Sequence, residues 1–276
     1  MGRILAIVVL WLGMAGHVTA AEVEVAADCG DMMTVLVLSP KDIRRAAPGM
    51  IELGKRLVVQ PLRELLMKRS GNDFRSGDVK GAYDAMDAQD FDAINGRQDW
   101  ANWRLIPRAL SGLVPSTPVS VIDLGCGPGS STKILGHFVH PESRLLGIDL
   151  AENLIAKARK ASYTHGSGAE MATEFSVGSA TETFRQADGT AVKDGSVDYV
   201  NSSGIVGHYL DVPALKTMGR EVHRVLKPGG HVALDNGPNL VAKDIIPAME
   251  SLGFTFVKRV VLFYGDFRGQ LVFRRN

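Results

Sequence analysis

The sequence has little cysteine, few aromatic residues and no excess of charge of either sign. Cys29 and Cys126 are the only cysteines in 276 residues, and two thiols so far apart provide neither a disulfide framework nor a zinc site. Lysine and arginine number 31 against 30 aspartates and glutamates, a net charge of +1. Because a nucleic-acid binder needs a basic surface to neutralise phosphates, we expect no nucleic-acid partner. We also expect no metal site.

Glycine, by contrast, is abundant. It supplies 30 of the 276 residues, above the usual share of about 7%. Hydrophobic residues make up 45% and charged residues 22%, which is ordinary globular composition. It excludes a mainly disordered, collagen-like or coiled-coil protein. The length allows one large domain or two small ones.

Residues 1–31 form a hydrophobic N-terminal segment that is set apart from the rest. An apolar run over residues 4–15 follows Arg3 and precedes Val18-Thr19-Ala20, which is typical of a secretory signal peptide. A stretch over residues 4–21 could also serve as a tilted membrane anchor. A third alternative is that translation starts at Met32 or Met33, and this is the one we favour.

Residues 39–116 show helical spacing and predict a helical lid or substrate-binding region. Pro61 is expected to kink or split the helix over residues 50–66. Residues 41–69 hold eight basic and three acidic side chains. A basic amphipathic helix can lie on an anionic membrane, but we favour a packed apolar stripe with a solvated face. The aromatic side chains of this region are candidates for closing over a ligand or for core packing: Tyr83, Phe91, Trp100 and Trp103.

Residues 117–276 alternate between short apolar runs and helical patterns. Strands are expected at 119–124, 144–148, 173–177, 197–200 and 231–234, and helices at 131–139, 151–161, 214–226 and 240–252. This alternation predicts an α/β domain with a doubly wound, mostly parallel sheet. The β-rich runs 254–263 and 270–274 are too close for a crossover helix, so the seven-stranded sheet should end in an antiparallel hairpin.

A glycine-rich turn, Gly125-Cys126-Gly127-Pro128-Gly129, follows the first of these strands. Such a turn lets the backbone approach a ligand, and it falls at the carboxyl end of a strand, where doubly wound sheets bind ligands. A dinucleotide site prefers G-x-G-x-x-G, whereas Ser130 stands at the third glycine position here. Asp123 would repel a pyrophosphate and suits a ligand with a cationic amine. The alternative is a tight turn with no ligand.

The next strand ends in Asp149, 20 positions beyond Gly129. A carboxylate at that place can accept hydrogen bonds from both hydroxyls of a ribose. Aspartate also favours the cap of a helix, and the following residues are helical in pattern. The turn and the acid together are more specific than either alone.

Several ordered motifs resemble the class I S-adenosylmethionine-dependent methyltransferases, over more than half of the chain. VIDLGCGPG at 121–129 is similar to the first motif of that family, and GIDL at 147–150 to the second. SVDYVN at 196–201 resembles its fourth strand, and REVHRVLKPGGHVAL at 220–234 resembles its Pro-Gly-Gly turn and fifth strand.

The resemblance implies a binding site for S-adenosylmethionine. Asp123 and the turn residues Gly125, Cys126, Gly127 and Gly129 would hold the amino acid head, although Cys126 is expected mainly to fill space. Asp149 would hold the ribose. The remaining positions implied by the resemblance are Leu150, Ser179, Ala180 and Asn201. Many members have an acid where this chain has Ser179, whose hydroxyl accepts a hydrogen bond from adenine more weakly; Glu182 could stand in.

The loop after the fourth strand holds His208 and Tyr209, which the resemblance places near the transferred methyl group. His208 is a candidate general base at neutral pH, and Tyr209 could orient an acceptor. Alternatively, His208 packs beside Asp211 and does no chemistry.

We therefore expect a methyltransferase for a small molecule, which could be lipid- or quinone-like. The sequence Asn201-Ser202-Ser203-Gly204 disfavours methylation of DNA amines, and the absence of a Pro-Cys pair there disfavours cytosine-carbon methylation. The alternatives are a non-catalytic S-adenosylmethionine-binding protein and a nucleotide-dependent oxidoreductase. S-adenosylmethionine is held in the cytosol, so a cytoplasmic protein is expected, with weak association to a membrane surface as an option. The oligomeric state is left open.

Overall fold

The computed structural model describes residues 21–26, 32–69, 79–86, 88–262 and 269–276. The apolar run over residues 4–15, Cys29 and the turn expected at 264–268 lie outside the described residues. Within them, no helix is long and apolar enough to cross a bilayer.

The N-terminal part combines a strand pair with four helices. Strands β1 (Ala21–Ala26) and β2 (Met32–Val37) are antiparallel, a pair that the sequence analysis did not predict. Helices α1 (Pro40–Ala46), α2 (Met50–Arg69), α3 (Val79–Asp84) and α4 (Ala88–Leu110) follow. Ser39 caps α1 through a hydrogen bond that its hydroxyl accepts from the Asp42 N–H.

Two expectations for α2, a split at Pro61 and a packed apolar stripe, are wrong, whereas a kink at Pro61 stays a prediction. The helix continues through Pro61 without splitting; Pro61 lies on the exposed side, where water can satisfy the carbonyl that loses its helical donor. The apolar stripe of α2 is also not packed against the rest of the chain: Ile51 is 82% and Val58 72% exposed.

The seven-stranded sheet is confirmed. Its strands are β3 (Ser120–Leu124), β4 (Arg144–Asp149), β5 (Ala172–Val177), β6 (Val197–Ser202), β7 (Leu226–Asn236), β8 (Phe254–Val261) and β9 (Gly269–Arg275). Their order is β5-β4-β3-β6-β7-β9-β8. The first five are parallel, whereas β9 lies antiparallel between β7 and β8. The strand order reverses between β3 and β6, so a ligand crevice is expected where these two strands end.

Helices cover both faces of the sheet. Helices α5 (Ser130–Phe138), α6 (Glu152–Ala158) and the second half of α4 lie on one face, and α7 (Val212–Val225) and α8 (Ala242–Glu250) lie on the other. Successive residues of β3 serve the two cores, Val121 on the first face and Ile122 on the second, as the two-residue period of a strand requires. Ile106 and Leu110 of α4 are fully buried in the first core. Half of α4 is thus part of the core that supports the site.

The connection from β5 to β6 departs from the strand–helix alternation. Residues 178–196 contain turns and a short bridge between Arg185 and Ala191 in place of a helix. Phe184 and Val192 anchor this segment in the second core. Their burial fills the space that a crossover helix would otherwise cover.

Candidate active site

The glycine loop, residues 125–129, connects β3 to α5 at the point where the strand order reverses. All three of its glycines have positive φ: 70° at Gly125, 53° at Gly127 and 92° at Gly129. This region of backbone space is costly for residues that carry a Cβ. Gly125 also donates its N–H to the Ile148 carbonyl at 2.8 Å, which ties the loop to the end of β4.

Neighbouring side chains fill the space above each glycine. A Cβ on Gly125 would lie 2.6 Å from Ile205 Cγ2, and one on Gly127 would lie 2.8 Å from the Phe91 ring. At Gly129, a Cβ would lie 1.9 Å from the hydroxyl of Tyr163, which is 4% exposed. Gly125 and Gly127 therefore face residues of the site, whereas Gly129 is required by packing against the core.

A cavity of about 410 Å³ opens over this loop, and we call it the main cavity. Its volume is in the range of small-molecule sites, about 300–1,000 Å³. The ends of β3, β4 and β5 and the loop after β6 all contribute to its wall, and α3 and α4 close it from above. Its predicted site residues are Gly125, Gly127, Asp149, Leu150, Ser179, Ala180 and Tyr209.

Asp149 lies in the wall of the main cavity at the end of β4. Its Oδ2 accepts the Gly127 N–H at 2.8 Å, and its Oδ1 accepts the Ala151 N–H at 2.9 Å. Burial raises the pKa of this carboxyl, while these two N–H groups act in the opposite direction. A carboxylate has about four acceptor positions, so each oxygen retains capacity for a ligand hydroxyl.

Leu150, Ser179 and Ala180 form an adjoining part of the wall. The Leu150 side chain is 41% exposed, which leaves an apolar surface open to the cavity. The Ser179 hydroxyl accepts the Thr181 N–H at 3.1 Å and lies 2.9 Å from the Thr181 hydroxyl. This pair offers a neutral polar group at that part of the wall.

Asp123 and Asn201 belong to a buried polar network beneath the glycine loop. The Asp123 carboxylate, 1% exposed, accepts hydrogen bonds from Ser131 at 2.6 Å, Thr132 at 2.7 Å and the Asn201 amide at 2.8 Å. The Asn201 oxygen in turn accepts one from Gln270 of β9 at 3.2 Å. These bonds fix the loop against α5 and the sheet, a structural role that sequence reasoning did not foresee. A direct role for either residue in binding a cofactor stays a prediction.

Cys126 is 3% exposed, and burial raises the pKa of its thiol well above the ordinary value. It adjoins a second, polar cavity of about 550 Å³ between α2, α4 and α5, which includes Arg56, Asp99 and Lys133. The buried, protonated thiol is consistent with a space-filling residue.

His208 does not line the main cavity. It borders a small chamber of about 10 Å³, roughly the room of one water molecule. Gln98 and Ser203 lie in the walls of both spaces, so they separate His208 from the main cavity. Tyr209, by contrast, reaches the main cavity, and its hydroxyl lies 2.6 Å from that of Tyr83.

The small chamber contains an acid that the sequence analysis missed, Asp235. It is 5% exposed, and its Oδ2 lies 3.9 Å from His208 Nε2. Burial raises its pKa to about 6, against the opposing effect of the Val206 and Gly204 N–H groups. A polar residue directly after the buried run of β7 was the available signal, because strands of a parallel sheet end at the ligand-binding edge.

The four aromatic candidates of the helical region divide into two pairs. Tyr83 and Phe91 line the main cavity, with ring centroids 6.1 Å apart. Trp100 is 4% exposed and donates its indole N–H to the Gly49 carbonyl, and Trp103 packs against Phe138.

The described residues contain no cluster of side chains suited to a metal ion.

Comparison with known proteins identifies a domain in this chain. Residues 121–230 match a family described as methyltransferase domain. The demethylmenaquinone methyltransferase of Lactococcus lactis is 30% identical over 151 residues, which cover 52% of this chain and 53% of that protein. The arsenite methyltransferase of Halobacterium salinarum is 29% identical over 130 residues, covering 47% of this chain and 29% of that protein. The chain thus spans about half or less of the length of these curated relatives.

A crystal structure shows the same fold. The SAM-dependent methyltransferase from Aquifex aeolicus superposes with a TM-score of 0.52 at 17% identity, over 68% of this chain and 96% of that chain. The family match identifies a methyltransferase domain over residues 121–230, and the solved structure shows the fold that the motifs predicted.

Proposed function

We propose that this chain, which carries a methyltransferase domain of the class I, Rossmann-like fold, transfers a methyl group from S-adenosylmethionine to a small-molecule acceptor. One observation carries the proposal: the glycine loop and Asp149 face one cavity of about 410 Å³ where the strand order of the sheet reverses. A carboxylate and a side-chain-free backbone at that place suit a nucleoside with a charged tail.

The polar and apolar groups that line the main cavity fit the parts of S-adenosylmethionine. Asp149 has acceptor capacity for the two ribose hydroxyls, and the exposed face of Leu150 offers an apolar surface for the adenine ring. Ser179 and Thr181 offer hydroxyls at its edge. Gly125 and Gly127 line the cavity, so their backbone is available to the amino acid head.

The bound cofactor supplies a methyl group already activated by a positively charged sulfur. What the chain has to do is hold donor and acceptor in line and keep water out. Fixed positioning can lower a barrier by about 7–11 kcal/mol in favourable cases. Tyr83, Phe91 and Tyr209 close one side of the cavity and are the residues we assign to this task.

The acceptor that fits best is a small molecule with an apolar or aromatic ring. Ile205, Phe91 and the two tyrosine rings form an apolar wall of the main cavity, and such walls favour stacked or edge-on rings. The name of the Lactococcus lactis relative is consistent with a quinone-like ring. Because S-adenosylmethionine is held in the cytosol, we place the reaction there.

For an acceptor that must lose a proton, we assign proton removal to His208 and its orientation to Asp235. The 3.9 Å separation of His208 Nε2 from Asp235 Oδ2 would shorten, or be bridged by one water, when an acceptor enters. Since Ser203 lies in the walls of both spaces, the proton would pass from the acceptor to the imidazole of His208 through the Ser203 hydroxyl or a water molecule. Full turnover by His208→Ala, at every pH, would remove this assignment.

Calorimetric titration with S-adenosylmethionine and separately with NAD tests the proposal, followed by transfer of labelled methyl to ring-bearing and to hydrophilic acceptors. We expect saturable binding of S-adenosylmethionine, no binding of NAD, and label in a ring-bearing product. Binding without transfer to any acceptor would favour a non-catalytic binding protein. Preference for NAD would favour an oxidoreductase.

A further inference from the structure

Helix α2 presents an apolar surface to the outside. The described part of the chain has eleven large hydrophobic side chains that are clearly exposed, and eight of them lie on this helix. We call this surface the outer face of α2, formed by Met50, Ile51, Leu57, Val58, Leu62, Leu65 and Leu66; the eighth side chain, Val59, lines the cavity of about 550 Å³ beside α4. Contiguous apolar surface of this kind marks a contact site, because isolated exposed residues are normal but clusters are not.

The opposite face of α2 is polar and is fastened to α4. Arg56 donates hydrogen bonds to Asp99 at 2.8 Å and to the Gly96 carbonyl at 2.6 Å. Gln60, 6% exposed, accepts one from Arg97 at 2.8 Å. A soluble helix ordinarily turns its apolar face inward. Here Met67 packs inward with Met86 and Ile94. The inward contacts of Arg56 and Gln60, however, are hydrogen bonds and an ion pair, which hold the outer face of α2 outward.

Cations are interspersed with the exposed apolar side chains. With 100° per residue, Lys68 lies directly in line with Met50, and Arg69 with Ile51. Lys55 lies at the margin of this face, between Leu62 and Leu66 on the same wheel, where it also borders the cavity of about 550 Å³ and lies 3.9 Å from Glu52. The acidic residues of α2 serve the inner side, because Glu52 pairs with Arg56 and Glu64 with Arg97.

We propose that the outer face of α2 docks on an anionic membrane surface, with the helix lying in the interface. Apolar side chains would enter the boundary between headgroups and acyl chains, and the long lysine and arginine side chains would extend back to lipid phosphates. The inference goes beyond the proposed function and does not depend on it. It also accounts for the basic helix that the sequence analysis left without a role.

A second copy of the chain fits this face less well. In a twofold interface, the same patch faces itself, so the cations at the margin of this face would be brought against the identical cations of the second copy. Desolvating like charges in this way is costly. At a lipid surface the same cations meet phosphates.

Vesicle flotation of the full chain tests the docking. The vesicles are phosphatidylcholine alone or phosphatidylcholine with phosphatidylserine, at low and high salt. We expect flotation with the anionic vesicles, much less with the neutral ones, and a decrease as salt is added. Absence of flotation with anionic vesicles at low salt would overturn the proposal.

Two variants assign the binding to α2. The triple change Ile51→Gln, Val58→Gln and Leu62→Gln should weaken binding at least tenfold, and the change of Lys55, Lys68 and Arg69 to Gln should remove its salt dependence. The matched control is Val257→Gln, whose side chain on β8 is 39% exposed, and it should bind as the parent does. All variants retain residues 1–20, so a loss of vesicle binding reports on α2 and not on the N-terminal segment.

Folding and oligomeric state complete the test. Thermal melting followed by circular dichroism should show little change in melting temperature, because every substituted side chain is exposed. If the apolar variant fails to fold, the charge variant still tests the proposal. Parent-level flotation of both variants would overturn the proposal. So would a dimer, seen by light scattering, that only the apolar substitutions dissociate.

Discussion

The hydroxyl groups of Tyr83 and Tyr209 lie 2.6 Å apart, with their rings edge to face at a centroid distance of 6.0 Å. Tyr83 belongs to α3 of the helical region and Tyr209 to the loop after β6, so the two units of the chain meet over the main cavity. Asn153 of α6 holds the end of α3 in place by donating to the Asp84 and Met86 carbonyls at 2.8 and 2.9 Å. The contact between Tyr83 and Tyr209 thus links the helical region to the sheet at the site.

The first prediction concerns this tyrosine pair. Tyr83→Phe, Tyr209→Phe and the double variant should each weaken S-adenosylmethionine binding by a similar amount, because one shared hydrogen bond is lost in all three. The coupling energy in a double-mutant cycle should be about 0.5–1.5 kcal/mol, measured by calorimetric titration.

Tyr199→Phe is the control for that cycle. Tyr199 is fully buried in β6, and its hydroxyl has no hydrogen-bond partner among the described residues. Removing it should leave cofactor binding unchanged. Additive effects of the Tyr83 and Tyr209 changes would contradict the shared bond.

The second prediction is that Asp149→Asn weakens S-adenosylmethionine binding by about tenfold to a hundredfold. A hydrogen bond to a charged group contributes about 1.5–3 kcal/mol, and the amide replaces one acceptor oxygen with a donor. Calorimetric titration measures the change. Glu152→Gln, an exposed acid at the start of α6, is the matched control and should bind normally; equal losses in the two variants would count against a ribose contact.

The third prediction separates backbone strain from packing in the glycine loop. Gly129 and Gly168 have nearly the same φ, 92° and 91°, but only Gly129 has a neighbour in the way of a Cβ, the Tyr163 hydroxyl. Gly129→Ala should therefore lower the free energy of unfolding by about 1–3 kcal/mol more than Gly168→Ala does, measured by urea denaturation. Tyr163→Phe should recover part of that difference.

The fourth prediction follows from the raised pKa of Asp235, about 6 against an ordinary 3.8. Between these values the folded state binds more protons than the unfolded state, so the stabilising contribution of this group is complete at low pH and is lost as the pH rises through 6. Two pKa units correspond to about 3 kcal/mol. Asp235→Asn should therefore raise the free energy of unfolding by about 1–3 kcal/mol at pH 8 and by much less near pH 4.

Urea denaturation across that pH range measures the effect, and activity supplies a second readout. If Asp235 orients His208, the stabilised variant should turn over more slowly and its pH–rate profile should shift, whereas a purely structural acid would leave the profile in place. Asp211→Asn, at the exposed N-cap of α7, controls for the replacement of a carboxylate by an amide, because asparagine caps a helix as well as aspartate. An Asp235→Asn protein less stable than its parent at pH 8 would contradict the burial argument.

The sequence by itself determined the sheet and predicted the edge of it at which the candidate site lies. Two-residue and 3.6-residue periods distinguish strands from helices locally, and a six-residue connection forces an antiparallel hairpin wherever it occurs. The glycines at 125, 127 and 129 were identifiable for the same reason, because backbone geometry at a tight turn is a local property. Asp149 was identifiable from its place at the end of a strand.

Only the tertiary structure decided which way side chains face and what they meet. The apolar stripe of α2 has the same periodicity whether it is buried or exposed, and the bonds of Arg56 and Gln60 to α4 are what turn it outward. Asp123 is committed to Ser131, Thr132 and Asn201, and His208 meets Asp235, 27 residues further along the chain, beside the main cavity and not in it. These relationships join residues distant in sequence, so they depend on how the elements pack and not on any local pattern.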